Sequence, residues 1–329
     1  MAEFDADRVL QLAQSYWECR ILLTAAELDL FALLEPEPLS AQHVAERLNA
    51  DIRGMTFLLD AVAAIGLLSK RDGKYRCEPD LAALLSGSSP GSVLPMVLHS
   101  ASQWKKWSDL TGIVRGEIEP GRHPRTPQTL RAFIEAMDVA ASPRAESVVA
   151  AVKPGSAKRL LDVGGGPGTY TKAFLNAVPQ MKATLFDQPD VVEIARARLH
   201  AAGLLDRVTL VGGDFEVDEL PGGHDLALLS AIIHQNSHQQ NVDLYRKVFR
   251  ALVPGGRIVI RDHVLRPDRT QPRRGAVFAI NMLVSTSGGN SYTFDEIRDG
   301  LTQAGFERVR LLVEDEHMNG LVEAFRPPT

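Results

Sequence analysis

Residues 159–170 are the segment that most constrains the fold of this chain. They read Arg-Leu-Leu-Asp-Val-Gly-Gly-Gly-Pro-Gly-Thr-Tyr, an apolar run with an acidic residue at its end, then a glycine cluster and the start of a helical pattern. Because glycine has no Cβ and adopts positive φ without strain, a turn of this kind lets a ligand lie against bare backbone. The segment therefore predicts a strand, a tight turn and a helix that together form a ligand site.

Two classes of nucleoside ligand use such a turn. Dinucleotide sites have the pattern G-x-G-x-x-G, with the pyrophosphate at the helix N-terminus. Here Pro167 removes one N–H donor from the turn and Asp162 places a negative charge at the strand end, so a pyrophosphate fits poorly. A cationic ligand such as S-adenosylmethionine, with its ammonium and sulfonium groups, fits better. We predict an S-adenosylmethionine site that includes Asp162, Gly164, Gly166 and Gly168; a nicotinamide oxidoreductase and a turn without a ligand are the alternatives.

The composition limits the class of protein further. The chain has 329 residues, which favours two domains, and 45% of its residues are hydrophobic, which supports a sizeable core. A net charge of −5 and a pI of about 6.0 argue against nucleic acid or an anionic membrane as a partner. Cys19 and Cys77 lack metal-type spacing, as do the His, Asp and Glu residues, so we expect reduced thiols and no metal. With no signal-peptide pattern and no run of about 18 apolar residues, a cytoplasmic protein is expected.

Residues 1–110 predict a winged-helix-like dimerisation domain. Residues 8–34 read as one helix whose apolar face is wider than a small domain buries, so we expect a partner chain to cover it in a homodimer. Ser40 and Asp51 are predicted to cap two more helices, and two short strands are expected around the turn at 71–74. DNA binding is disfavoured, because these residues hold 15 Asp and Glu against 10 Lys and Arg.

Residues 111–143 predict a helical linker that contributes to the active site. A helix is expected at 129–141, and Phe133 and Met137 lie on one face of it, either in the core or towards the cofactor. Trp104 and Trp107 belong to a helix expected at 102–115, and core packing is the simpler interpretation for at least one of them.

Residues 144–329 predict a doubly wound α/β domain, because strand and helix patterns alternate there. Strands are expected at 159–163, 182–186, 207–211, 225–230 and 257–262, and helices at 169–177, 190–201, 240–252 and 294–304. The last two apolar runs, 308–313 and 321–325, are too close together for a crossover helix. They predict an antiparallel hairpin at the end of a parallel sheet.

Acidic residues follow the second and third strands of this sheet. Ligands bind outside the carboxyl ends of the strands in such folds. Asp187 ends the second strand, where it could accept the two hydroxyls of a ribose. Asp214 and Phe215 follow the third, where they could bind the amino group of an adenine and stack on its ring. Each residue alone is more often a cap or a turn residue, but successive acids at successive strand ends favour a nucleoside site.

A histidine follows the fourth strand and an aspartate ends the fifth. His234 would lie at the mouth of the site, and histidine is a suitable base for a phenol or enol hydroxyl because it titrates near neutral pH. Asp262 could accept the other imidazole N–H and stabilise the imidazolium. His238 and His263 are nearby alternatives to His234.

These motifs together resemble the class I S-adenosylmethionine-dependent O-methyltransferases of the caffeate and hydroxyindole type, in their bacterial small-molecule branch. The resemblance covers nearly the whole chain, and its motifs are Trp-Ser-Asp-Leu at 107–110, Phe133 with Ala-Met at 136–137, Leu-Asp-Val-Gly-Gly-Gly-Pro-Gly at 161–168, Phe-Asp-Gln-Pro at 186–189, Gly-Asp-Phe at 213–215 and Leu-Val-Pro-Gly-Gly at 252–256. It implies a Rossmann-like methyltransferase sheet, the cofactor, a homodimer and a histidine base. It also implies that Gln188 and Ser230 complete the cofactor site, and that Asn281 and Met282 join Phe133 and Met137 around the acceptor.

The chain departs from the family pattern around His234. The Asp-Trp pair that usually follows the histidine is Gln235-Asn236 here, the flanking glutamate is Asp262, and a second acid is Ser291. We therefore predict methyl transfer from S-adenosylmethionine to a hydroxyl of a small aromatic or polyketide-like acceptor, with His234 as base and Asp262 as its partner. The alternatives are a non-methylating reaction on the same fold and cofactor, and a ligand-sensing winged-helix regulator.

Overall fold

The computed structural model describes residues 5–87, 89, 91–121 and 127–328. The chain folds into two compact units, Met1–Trp104 and Lys105–Thr329. The predicted division at residues 110 and 143 stays a prediction. Within the described residues, no helix has both the length and the apolarity that a membrane span requires.

The first unit is a small helical domain with a three-stranded sheet. Its elements in chain order are α1 Ala6–Gln14, α2 Tyr16–Glu27, α3 Leu30–Leu33, β1 Leu39–Ser40, α4 Ala41–Leu48, α5 Ile52–Ala64, β2 Ser69–Arg71, β3 Lys74–Arg76, α6 Pro79–Leu85 and the start of α7 Leu94–Ser108. The strand order is β1-β3-β2, with both pairs antiparallel. One apolar core, with Phe31, Leu59 and Tyr75 fully buried, holds these elements together.

The prediction of one continuous helix at 8–34 is wrong. The chain forms three helices there, because α1 ends at Ser15 and Asp29 adopts a left-handed conformation with φ of +52° that ends α2. The two predicted caps are confirmed: the Ser40 side chain accepts from the His43 N–H, and the Asp51 side chain accepts from the Gly54 N–H. The hairpin is also confirmed: β2 ends at Arg71 and β3 begins at Lys74, so the turn itself is Asp72-Gly73.

The second unit is an α/β domain built on a seven-stranded sheet. Its elements are α8 Leu110–Val114, α9 Pro127–Ala141, α10 Ala145–Val152, β4 Arg159–Val163, α11 Thr169–Ala177, β5 Lys182–Asp187, α12 Pro189–Ala201, β6 Val208–Gly212, β7 His224–Ser230, α13 His238–Ala251, β8 Leu252–Asp262, β9 Val264–Leu265, α14 Arg273–Ser285, β10 Tyr292–Thr293, α15 Phe294–Gln303, β11 Glu307–Val313 and β12 Gly320–Phe325. Helix α7 crosses from the first unit, so the predicted helix at 102–115 is in fact the end of α7 and the separate α8.

The sheet has the strand order β11-β12-β8-β7-β4-β5-β6. The strands β8, β7, β4, β5 and β6 pair in parallel, while β12 is antiparallel to both β8 and β11. This confirms the parallel sheet with an antiparallel C-terminal hairpin. Two apolar clusters cover its faces: one centres on Leu161, Phe186 and Ile260, the other on Leu160, Phe174 and Val259. The carboxyl ends of the five parallel strands meet at one edge, where the candidate residues lie.

Two helices of this unit have no counterpart in the predicted elements. Helix α10 is only eight residues long and rich in valine, which lowers its helix propensity. Helix α14 begins after Pro272 with no side-chain cap, carries two arginines in its first turn and includes Gly275. These features are opposite to the usual signals of a helix start, so packing on the sheet edge, and not local sequence, determines α14.

Candidate active site

The glycine turn after β4 combines close packing with one open side. Gly164, Gly166 and Gly168 have φ of +66°, +54° and +81°. A Cβ on Gly164 would lie 2.2 Å from Ile232 Cδ1, and one on Gly165 would lie 2.7 Å from Leu185 Cγ. A Cβ on Gly166 would meet no atom within 4 Å, so the turn offers bare backbone towards open space there. This is a cradle that S-adenosylmethionine fits.

Asp162 lies beneath this turn. It is 1% exposed, and its Oδ2 accepts a hydrogen bond of 2.6 Å from the Thr171 hydroxyl of α11. Its pKa is raised to about 6, mainly by burial and to a lesser degree by the Asp187 carboxylate, while the Thr171 hydrogen bond opposes the rise. From the sequence we expected this charge to face the ligand directly, whereas the carboxylate in fact lies behind Gly165, where it joins β4 to α11.

Asp187, at the end of β5, holds the other side of the turn. Its Oδ2 accepts from the Gly166 N–H at 2.8 Å, and its Oδ1 accepts from the N–H of Gln188, the N-cap residue of α12. Burial raises the pKa of Asp187, while these two hydrogen bonds oppose the rise. The carboxylate thereby links β5 to the glycine turn, next to the space where a ribose was predicted.

The residues after β6 lie close to the same turn. Phe215 is half-buried, and its Cε1 lies 3.9 Å from the Cβ position of Gly164, beside the cradle. The Asp214 side chain is exposed and accepts from the Glu216 N–H, as a turn residue does. Ser230 ends β7 and accepts from Arg261 Nη1. The cofactor residues predicted from sequence are thus gathered around one turn; their individual binding roles stay predictions.

His234 and Asp262 form a close pair at the ends of β7 and β8. The histidine lies in a short 3₁₀ turn, Ile233–Gln235, and its Nδ1 is 2.9 Å from both carboxylate oxygens of Asp262. Asp262 is 1% exposed and the His234 side chain 13%. Burial by itself would raise the pKa of Asp262, but the His234 imidazole and its hydrogen bond outweigh burial and lower it. A carboxylate on Nδ1 leaves Nε2 to exchange a proton.

The residues that replace the usual family pattern support this turn. Asn236 is buried, and its Nδ2 donates to Asn241 Oδ1 at 3.1 Å, while Asn241 Nδ2 donates to the Ile233 carbonyl. The Tyr292 hydroxyl donates to the Asn236 carbonyl at 2.6 Å. Ser291, in place of an acid, donates to the Gly275 carbonyl of α14. Neutral hydrogen bonds therefore fix the chain around His234, and Asp262 is its one close carboxylate among the described residues.

The neighbouring histidines have other surroundings. The His238 ring lies at the start of α13, 6.4 Å from the Tyr292 ring. His263 is 5% exposed, and burial lowers its pKa to about 4 although Asp262 opposes the shift. Phe278 of α14 lies between the two strand-end histidines, with its ring centroid 4.9 Å from those of His234 and His263.

A cavity of about 610 Å³ adjoins the strand-end pair. It is lined by residues of α7, α9, the α9–α10 connection, β8 and the residue after it, α14 and the β11–β12 connection: Trp107, Ala140, Arg144, Arg261, His263, Arg273, Arg274, Val277, Phe278, Asn281, His317 and Met318. Asn281, a predicted acceptor residue, accepts from Trp107 Nε1 at 3.1 Å, and Trp107, which is 37% exposed, lies at the cavity and not in the core. Met282 is buried in α14 and is not among the lining residues, and Phe133 and Met137 are half-buried on α9.

The arginines of this cavity and Phe278 were not among the residues predicted from sequence. The available signal was the triplet Arg261-Asp262-His263, in which alternation along a strand places the outer two residues on the face opposite the middle one. The residues of α14 could not be found without recognising the helix. Among the described residues, no group of three or more His, Cys, Asp or Glu side chains is arranged to hold a metal ion.

Comparison with known proteins places the chain among related families and sequences. Residues 97–307 match the O-methyltransferase domain family, and residues 10–85 match the O-methyltransferase dimerisation domain. The chain is 32% identical to 3-hydroxy-5-methyl-1-naphthoate 3-O-methyltransferase of Streptomyces sahachiroi, over 91% of this chain and 89% of that protein. It is 31% identical to a phenazine O-methyltransferase of Lysobacter antibioticus, over 92% of each.

A solved structure extends the similarity to the whole chain. The crystal structure of human N-acetylserotonin methyltransferase in complex with SAM superposes with a TM-score of 0.85 at 26% identity, covering 99% of each chain. The glycine cradle, the two domain matches and these relatives together show that the chain belongs to the O-methyltransferase family and is an S-adenosylmethionine-dependent enzyme of that family.

Proposed function

We propose that this enzyme transfers the methyl group to a hydroxyl of a small aromatic or polyketide-like acceptor, with His234 as general base and Asp262 as its orienting partner. The observation that carries the proposal is the 2.9 Å contact between His234 Nδ1 and both oxygens of the buried Asp262 carboxylate, at the carboxyl edge of the sheet. The cofactor supplies an electrophilic methyl group when it is bound.

The roles of the chain's own groups follow from this geometry. The Asp262 carboxylate keeps the proton on Nδ1, which leaves the Nε2 lone pair free to accept the acceptor's hydroxyl proton. The imidazolium formed then faces a buried negative charge that stabilises it. The Gly166 backbone, Asp187 and Phe215 are proposed to hold the cofactor beside this pair, and orientation of the two reactants supplies much of the rate.

The acceptor class is inferred from relatives. The two bacterial relatives are named for a naphthoate and a phenazine acceptor, both flat aromatic ring systems. A cavity of about 610 Å³ lined by Trp107, Phe278 and Val277 suits such a ring. We propose that Asn281 of α14, which lines this cavity, borders the bound acceptor; Met282, Phe133 and Met137 lie outside the lining, so their contact with the acceptor stays a prediction.

The assembly is proposed to be a homodimer formed through residues 1–110, with residues 111–143 as a linker and 144–329 as the catalytic domain. The match of residues 10–85 to a dimerisation domain supports the homodimer. Helix α1 also supports it, because it has no buried residue and exposes Val9, Leu10 and Leu12.

The base assignment is tested by His234→Ala. We expect kcat to fall about 10²–10⁴-fold, because general-base catalysis contributes that much. The affinity for S-adenosylhomocysteine, measured by calorimetry, should stay within a few-fold. His238→Ala is the matched control and should retain kcat. Mass spectrometry of the product must show one added methyl group in the wild type; full activity of His234→Ala would contradict the assignment.

A further inference from the structure

We infer that the cavity beside the strand-end pair binds an oxyanion of the acceptor, so that the preferred substrates are hydroxyaromatic carboxylates. This inference rests on the proposed function and adds the substrate's charge to it. The residues assigned to the anion are Arg273 and Arg274 of α14, with Arg144 and Arg261, which line the same cavity.

The lining of the cavity is strongly cationic. Four of its side chains are arginines and none is an aspartate or a glutamate, while the lining residue His263, whose pKa is lowered to about 4, adds no charge at neutral pH. Arginine forks bind carboxylates through paired, charge-assisted hydrogen bonds, and a concave wall concentrates the field. A neutral phenol gains little from such a lining, whereas an aromatic acid supplies the missing negative charge.

Arg261 is a buried guanidinium with neutral partners. It is 6% exposed; its Nε and Nη2 donate to Asn319 Oδ1, its Nη1 donates to Ser230 Oγ, and it stacks 5.1 Å over the Tyr170 ring. No carboxylate lies within ion-pair distance of it among the described residues. A buried cation whose direct partners are all neutral is costly, and an anion in the cavity would offset that cost.

The acids nearest to Arg261 are engaged elsewhere. Asp262 contacts His234, and Asp315 accepts from the N–H groups of His317 and Asn319 and from Asn319 Nδ2. His263 adds a group with an unsatisfied ring nitrogen to the lining, because it is buried and its Nδ1 has no hydrogen-bond partner in the described part of the chain.

Arg273 and Arg274 occupy an unusual position on their helix. They form the first turn of α14, where the helix dipole disfavours cations, and no acidic residue shares that turn. Neither has an ion-pair partner in the described residues, whereas other exposed arginines of this unit do, such as Arg246 with Asp243 and Arg250 with Glu219. Two cations beside free helix N–H groups form a surface that attracts an oxyanion.

The cavity is placed so that one acceptor could meet both ends. Phe278 contacts the rings of His234 and His263, so the cavity wall and the proposed base share one aromatic side chain. A flat hydroxy acid beside Phe278 would direct its hydroxyl to His234 and its carboxylate to the arginines. The other carboxylate that could use this charge is that of the cofactor's methionine part, and the test separates the two.

The test compares binding of 3-hydroxy-1-naphthoate and its methyl ester to enzyme saturated with S-adenosylhomocysteine, by calorimetry at low salt. The wild type should bind the acid more tightly than the ester. Arg273→Gln/Arg274→Gln should weaken acid binding about 10-fold, because it removes two charge-assisted contacts to the carboxylate, and leave ester binding unchanged. Arg246→Gln, at an exposed arginine of α13, is the matched control. Added salt should weaken only acid binding.

Two results would overturn the inference. One is a wild type that shows no preference for the acid over the ester. The other is a double variant that loses affinity for S-adenosylhomocysteine while its preference for the acid is unchanged, which would assign the arginines to the cofactor. Neither result bears on His234, because methyl transfer to an ester acceptor and its loss in His234→Ala would still report the proposed base.

Discussion

At the scale of single residues, the glycine turn contains two different requirements. A Cβ on Gly164 would require the end of the Ile232 side chain to shift, because Ile232 Cδ1 lies 2.2 Å from that position, whereas Gly166 has nothing there within 4 Å. Both have positive φ, so an alanine at either position strains the backbone similarly. The pair therefore separates the structural role of the turn from its ligand-binding role.

We predict that Gly164→Ala mainly lowers stability and that Gly166→Ala mainly lowers cofactor affinity. Gly164→Ala should lower the free energy of unfolding by about 3 kcal/mol, from backbone strain plus overpacking against Ile232. Gly166→Ala should cost only about 1–2 kcal/mol but weaken S-adenosylhomocysteine binding at least about 10-fold, because the new methyl enters the cradle. Urea unfolding and calorimetry measure the two quantities; equal stability losses with unchanged affinity would contradict this distinction.

Asp162 gives a pH-dependent prediction. Its pKa is raised to about 6 in the folded state, above the ordinary value of 3.8, so the protonated form is the one that folding favours. Stability from this group is complete below about pH 4 and is lost as the pH rises through about 6. The wild type should lose on the order of 3 kcal/mol across that window relative to Asp162→Asn, which has no proton to release.

The measurement is urea unfolding of both proteins at pH 4.5, 6 and 7.5. The difference in the free energy of unfolding between Asp162→Asn and the wild type should grow as the pH rises. Parallel pH profiles would show that the carboxylate is not strained by its burial. If Asp162 serves the cofactor, the more stable variant should also bind S-adenosylhomocysteine more weakly, a familiar conflict between stability and function.

At the scale of elements, α13, β8 and β10 position the turn that bears the proposed base. The 3₁₀ turn Ile233–Gln235 bears His234, α13 ties it down through Asn241, and β10 ties it through Tyr292. Strand β8 supplies Asp262. The replacement of the family's usual Asp-Trp by Gln235-Asn236 is therefore accompanied by a hydrogen-bond network that uses the backbone and amides instead of charges.

Tyr292→Phe tests this network. Removing the hydroxyl leaves the buried Asn236 carbonyl unsatisfied, so we expect a loss of about 1–2 kcal/mol in stability and a several-fold fall in kcat. Tyr75→Phe is the matched control, because it removes a buried hydroxyl that donates to Asp60 in the first unit. Fixed-time product assays measure kcat, and urea unfolding measures the stability, of both variants. A control that lowers kcat as much as Tyr292→Phe would mean that general destabilisation is the cause.

At the scale of the whole molecule, the first unit exposes a large apolar surface. Its N-terminal helices present Val9, Leu10, Leu12, Tyr16 and Trp17, all more than half exposed. An apolar patch of this kind on a single chain indicates a partner surface, and the family match names the domain for dimerisation.

Leu12→Asp/Trp17→Asp should therefore dissociate the proposed dimer. Light scattering should give about twice the chain mass of 35.9 kDa for the wild type and the chain mass for the variant, because buried unpaired charges oppose association. Val217→Asp, at an exposed apolar residue of the second unit, is the control and should leave the mass unchanged. A monomeric wild type would refute the predicted assembly.

Much of the catalytic domain could be predicted because its signals are local. Strand β4 and helix α11 have the predicted bounds, and β5, β6 and β7 differ by one residue at either end, since apolar runs and glycine turns delimit them. We could not predict the break between α1 and α2 or the left-handed Asp29 after α2, because the continuous apolar pattern favours a single helix.

The sequence by itself determined the fold class, the cofactor turn and the pairing of His234 with Asp262. The turn depends on glycines within one short segment, and the pairing depends on the residue types at the ends of two strands. Tertiary structure alone decided that Asp162 lies buried behind the turn and that α14 forms without its usual start signals. It also brought Arg144, Arg261, Arg273 and Arg274 to one cavity. Those features arise from packing between segments that are distant in the sequence. Arg144, for example, is more than 100 residues from the other three arginines, and no local pattern encodes such a contact.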